Sequence, residues 1–166
     1  MRSDRAFPRA LGLVTMTLAW ALCSASAARA QCGTGSTRTF TALTVTPSSL
    51  SIPSIGVTEF DRGFSSVAQY TVTVEPTNGN RTRTWYLCLQ ATSATFPSVS
   101  GVAKPISDLQ WSLDGSYWTS FSVSTQQIAS SVGTATQVVY VRLLVNYAND
   151  VPGTFGPAPL TFTASH

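Results

Sequence analysis

Beyond residue 39 the apolar residues recur with a period of two. In Val67–Glu75, Tyr70, Val72 and Val74 fall on one face and Thr71 and Thr73 on the other, the spacing of a half-buried strand. Thr84–Ala91 repeats the pattern, with Trp85, Leu87 and Leu89 opposed to Tyr86 and Cys88. Trp85 is a core residue, because it shares a face with two leucines. After Leu22 no stretch sustains helical spacing over three turns. A chain of short alternating strands must hide one face of each against a second sheet. The fold class is therefore all-β: an antiparallel immunoglobulin-like β-sandwich of about seven to eight strands. A closed barrel is the competing architecture.

The other segments follow from their punctuation. Thr39–Thr46 is a strand carrying Phe40, Leu43 and Val45, and Pro47-Ser48-Ser49 turns it. Leu50–Ile52 is a short edge piece bounded by Pro53. The cluster Pro76-Thr77-Asn78-Gly79 joins Val67–Glu75 to Thr84–Ala91 as a hairpin. Ile106–Leu113 and Ser116–Val123 flank Asp114-Gly115, the signature of a type I′ hairpin. Val138–Asn146 is nearly continuously apolar, so it is expected to be a central strand buried on both sides. Thr154–Thr163 closes the chain. Pro157 and Pro159 cannot donate ladder hydrogen bonds, which places this strand at an edge or breaks it by a bulge at its start.

Residues 1–30 read as a cleavable signal peptide. Arg2, Arg5 and Arg9 precede an apolar run from Ala10 to Leu22, and Ala28-Arg29-Ala30 forms an A-x-A cleavage site. That leaves residues 31–166 as a single β-sandwich domain, destined for the periplasm, the cell surface or the extracellular space. The apolar run falls short of the roughly 20 residues of a membrane span, so no transmembrane anchor is expected. Leu22 before Cys23 fits a lipidation site poorly. The chain's net charge of +3 belongs to this segment, which holds four arginines and one aspartate. Beyond it six cations balance six carboxylates. Nucleic acid is not an expected partner, because that binding needs clustered positive charge. A neutral surface instead permits close association between copies. Cys32 and Cys88 form an even pair, read as one disulfide in an oxidising compartment. It would contribute about 4 kcal/mol in the chain-entropy view.

The residues offer little for catalysis. The one histidine, His166, is the last residue, where no second group holds a ring in place. No zinc ligand set is visible, and no cofactor or metal is expected. Glu59 and Asp61 read as part of a solvated loop with a local Asp61–Arg62 contact. The candidate ligand-binding residues are the aromatics Trp111, Tyr117 and Trp118, which flank Asp114-Gly115 and could stack on the apolar face of a glycan. The competing reading packs Trp111 and Trp118 into the core or across the hairpin. Asn80-Arg81-Thr82 is a formal N-glycosylation sequence.

One stretch carries a family resemblance. Leu109-Gln110-Trp111-Ser112-Leu113-Asp114-Gly115, the strand Tyr140–Val145, and Val151-Pro152-Gly153-Thr154-Phe155 leading to Leu160-Thr161-Phe162-Thr163 resemble the end of the spore coat protein U family. These are exported bacterial β-sandwich domains related to pilin subunits. The likeness spans residues 106–164, and Gly156-Pro157-Ala158-Pro159 departs from the family ending. It implies a non-catalytic coat, fimbrial or cell-surface subunit that acts by strand-edge association. The expected partners are further copies, other surface or pilus subunits, and a periplasmic chaperone.

Overall fold

Alternating strands bury their apolar faces only when two sheets close on each other, and this chain does so. The computed structural model describes Cys32 and residues 40–49, 51–97, 101 and 103–165. The expected signal segment, Leu50 and His166 lie outside the described residues. Ten strands are present among those described: β1 (Phe40–Thr46), β2 (Ala68–Pro76), β3 (Thr84–Ala91), β4 (Thr95–Pro97), β5 (Ala103–Pro105), β6 (Leu109–Ser112), β7 (Thr119–Ser120), β8 (Gln126–Val132), β9 (Ala135–Leu143) and β10 (Leu160–Ser165). One sheet runs β1-β2-β9-β6-β7, a second runs β10-β3-β8, and β4-β5 stand as a small hairpin. Every pairing is antiparallel. The fold is an all-β antiparallel sandwich, with more strands than its sequence pattern marks.

The core joins the inward faces. Tyr70, Val72 and Val74 of β2 and Val139, Val141 and Leu143 of β9 share one cluster with Trp85, Leu87 and Leu89 of β3. Tyr70 meets Phe162 edge-on across the sheets, with ring centroids 5.2 Å apart. Trp85 is buried as expected, and its Nε1 donates to the Gly133 carbonyl at 2.7 Å. This satisfies the one polar group a buried indole carries. Cys32 is bonded to Cys88, 56 positions further along the chain, with Cα atoms 5.9 Å apart. Cys88 occupies the outward register of β3 yet is fully buried.

Several local expectations are corrected. β2 and β3 do not form a hairpin. Residues 77–83, including a 3-10 turn at Asn78–Asn80, carry the chain from one sheet to the other. A Pro-Asn-Gly cluster marks a reversal but not which sheet the chain enters next. β9 is central, between β2 and β6, but alternates rather than being buried on both sides: Val138, Tyr140 and Arg142 are half-exposed on the outer face. β10 lies at an edge, as the prolines require, although pairing begins only after Pro159. Residues 51–54 form no strand, and Ile55 bridges Gly153 instead.

The segment read as a loop around Glu59 is a short helix, α1 (Val57–Arg62). The Glu59 carboxylate reaches back to accept the Gly56 N–H at 3.1 Å, satisfying one donor that a helix start leaves open. Gly63 ends the helix at φ +82°, a conformation glycine tolerates without penalty. Arg62 pairs with Glu59 at 3.6 Å, not with Asp61. Asp61 accepts the Tyr147 hydroxyl at 2.8 Å, and Tyr147 stacks on buried Phe60.

Leu143 is fully buried on the central strand, so Leu143→Ala is expected to cost about 2–5 kcal/mol of unfolding free energy. Leu113→Ala, at an exposed loop position, is expected to stay within about 0.5 kcal/mol. Urea denaturation of both variants checks the contrast; equal losses would contradict this placement of the core.

Candidate functional site

The aromatic candidates lie on one hairpin. β6 and β7 pair through Gln110–Ser120 and Trp111–Thr119, so Asp114-Gly115 does sit in a strand reversal. The reversal is a six-residue loop, 113–118, and not a two-residue type I′ turn. Only Gly115 takes a positive φ, +74°. Asp114 keeps ordinary backbone geometry because its side chain does the turning. Its Oδ1 accepts the Ser116 and Tyr117 N–H groups at 2.8 and 3.0 Å and the Ser112 hydroxyl at 2.9 Å. Ser112 Oγ in turn accepts the Gly115 N–H at 2.9 Å. Such Asx-type bonding offers the backbone an alternative to a tight turn.

This loop separates the three rings. Trp111 faces inward and packs against the core. Its Nε1 is buried with no hydrogen-bond partner. Tyr117 is 84% exposed. Trp118 is half-buried on the outer face of the five-stranded sheet, with the Arg142 guanidinium 4.2 Å from its ring centroid.

Arg142 organises that face. Its Nε donates to Gln110 Oε1 at 2.9 Å, across the β6–β9 pairing. Its guanidinium also lies 4.6 Å from the Phe64 ring centroid, and Arg62 lies 4.7 Å from that same ring. The order Arg62, Phe64, Arg142, Trp118 alternates cations with aromatic faces. Each contact is worth about 0.5–2 kcal/mol, depending on desolvation. Burial draws the Arg142 pKa below the usual arginine value. Chemically this face offers guanidinium charge and aromatic planes to a planar or anionic group. Arg142 and Phe64 were missed by sequence reasoning, which took β9 as apolar on both sides. The available signal was a lone arginine in outward register within an apolar strand.

The second candidate surface is the set of sheet edges. β7 has two residues, β10 begins behind Pro157 and Pro159, and β1 carries a register irregularity between Phe40 and Ala42. β8 differs. It runs Gln126–Val132 with neither charge nor proline, exposes Ser130 and Val132, and its register skips Ile128 opposite Leu87 and Cys88. Asn80 of the glycosylation sequence is half-buried and engaged, its Nδ2 donating to Thr77 Oγ1 at 3.0 Å.

Among the described residues no group of three His, Cys, Asp or Glu could hold a metal ion. No helix among them is long and apolar enough to cross a membrane. Neither a protein-family model nor a curated protein matches the chain.

Bonds from the Tyr117 and Ser116 N–H groups and the Ser112 hydroxyl hold the Asp114 carboxyl below the usual aspartate range. Because the folded loop favours the carboxylate, its contribution is present above the ordinary aspartate pKa. It is lost as pH falls through the lowered folded value. Hydrogen-exchange protection at the Ser116 and Tyr117 amides is expected to collapse over that acidic range, and already at neutral pH in Asp114→Ala. Undiminished protection in that variant would contradict the role given to Asp114.

Proposed function

We propose that this chain is an exported, non-catalytic structural subunit of the coat, fimbrial or cell-surface class, acting by strand-edge association. The observation that carries the reading is the free edge of β8. A strand edge presents unpaired N–H and C=O groups that template another strand, and proteins usually guard such edges with charge, proline, bulges or brevity. β8 has seven residues and no charged side chain or proline, and of these guards it carries only the register skip at Ile128, on its ladder with β3. The neutral charge balance beyond residue 30 adds support, since it sets little repulsion between copies. The spore coat protein U resemblance and the N-terminal targeting pattern point the same way. The partners are further copies or other surface subunits, delivered by a periplasmic chaperone.

Size exclusion of the processed protein over a range of concentrations is expected to show self-association. Ser130→Lys combined with Val132→Lys is expected to abolish it while leaving the circular dichroism spectrum unchanged. A strict monomer that also fails to bind neighbouring subunits or a chaperone would sink the reading.

A glycan-binding function is the second reading, favoured by the exposure of Tyr117 beside Trp118. Trp118 fluorescence should then respond to glycan titration, and the response should vanish in Tyr117→Ala. A glycan response that survives Tyr117→Ala removes this ring from the site.

A further inference from the structure

Lys104 is the only lysine in the chain, and it is not on the surface. It sits on β5 at 4% exposure, directly opposite buried Phe96 of β4. Phe96 in turn faces the buried ring of Phe155, with centroids 6.4 Å apart. Two carboxylates converge on its Nζ: Asp150 Oδ2 at 2.8 Å and Asp108 Oδ2 at 2.8 Å. The Asp150 side chain is 4% exposed and that of Asp108 32%. Asp150 Oδ2 also accepts the Asn146 N–H at 3.0 Å. Backbone bonds hold Asp108 and the segments on either side of Asp150. The Leu144 N–H donates to the Asp108 carbonyl at 2.8 Å, and Val145 donates to Gly63 at 3.0 Å. Ile55 and Gly153 exchange bonds in both directions, at 2.8 and 2.9 Å.

We propose that Lys104 and Asp150 condense to an intramolecular isopeptide bond, with Asp108 as the proton-transferring catalytic residue. A buried ion pair gives up the hydration of both charges. A second carboxylate on one ammonium leaves an unbalanced negative charge besides. Proton transfer from the ammonium to Asp108 yields a neutral amine, a form available to lysine and not to arginine. The amine nitrogen bonds to Cγ of Asp150, and the oxygen held by the Asn146 N–H bears the developing negative charge. The Cγ–Oδ1 bond then breaks. The departing oxygen leaves as water, with both protons surrendered by the original ammonium, one of them relayed by Asp108. Ammonium and carboxylate thus become one amide and one water, with no external reactant. Enforced proximity supplies the drive that free amine and carboxylate lack, and the apolar surroundings hinder hydrolysis. Asp150 is the acceptor because it is the more buried carboxylate and carries the extra N–H donor. Asp108, closer to solvent, is placed to exchange protons. An ion pair alone would need only a cation, a role arginine fills at every other basic position beyond residue 30. This inference does not depend on the assembly reading.

The test is a peptide map of the full chain expressed with its leader, denatured, reduced and digested with trypsin. Lys104 precedes proline, so residues 84–142 remain one tryptic peptide, and Asp150 lies in the following peptide, 143–166. The two are expected to travel as one species, lighter than their sum by one water. Lys104→Arg and Asp150→Ala are expected to release them at their sequence masses. Asp108→Asn is expected to do the same with an unchanged circular dichroism spectrum. Separate wild-type peptides at their sequence masses overturn the proposal. So does a water loss confined to 84–142, which marks a Lys104–Asp108 lactam or a succinimide at Asp114-Gly115. A cross-link that persists in Asp108→Asn overturns the role of Asp108.

Discussion

The structure depends on one burial. The inward residues of β2 and β9 lie against those of β3 in one cluster, and this contact removes them from water. Val72, Val74, Val139, Leu87 and Leu89 are fully enclosed there. Connections, helix and loops are placed by what remains. The 77–83 crossing exists because β2 and β3 serve opposite walls. Helix α1 contributes its one buried residue, Phe60, to the same cluster. The Cys32–Cys88 bond ties the start of the described chain to the middle strand of the smaller sheet.

Much of this was legible in the residues. Period-two alternation located β2 and β3 and assigned Trp85 to the interior, because a half-buried strand leaves no other pattern. Pro157 and Pro159 marked the edge position of β10 through their missing donors. What failed were inferences from adjacency. Neighbouring strands joined by a turn cluster resemble a hairpin whether the chain stays in its sheet or crosses, and only side-chain packing decides. Asp114-Gly115 announced a reversal, but the side-chain bonds of Asp114 and Ser112 chose a wider loop. Helix α1, at six residues, is too short for periodicity to register. The Lys104 cluster was invisible for a different reason: its carboxylates stand 4 and 46 positions away, and no local pattern links them.

Of the candidate site, the sequence showed which residues share a hairpin but not which way each ring turns. Trp111 points to the core, Tyr117 to solvent, and Trp118 rests on Arg142. The outer face of the larger sheet is therefore a stack of guanidinium and aromatic planes, while the edge of the smaller sheet is amide-rich and uncharged. These surfaces suit different kinds of contact: the first offers charge and π-faces to a small group, the second a length of backbone to another strand.

Withdrawal of Lys104 into the interior also sets how the folded surface can be handled. No lysine amine faces outward, so lysine-specific proteases find no accessible cleavage point, and the one formal site is followed by proline. Reagents and enzymes that tag surface proteins through lysine find no lysine to react with. The folded exterior is thereby chemically quieter toward amine-directed attack than the six basic residues beyond residue 30 would imply.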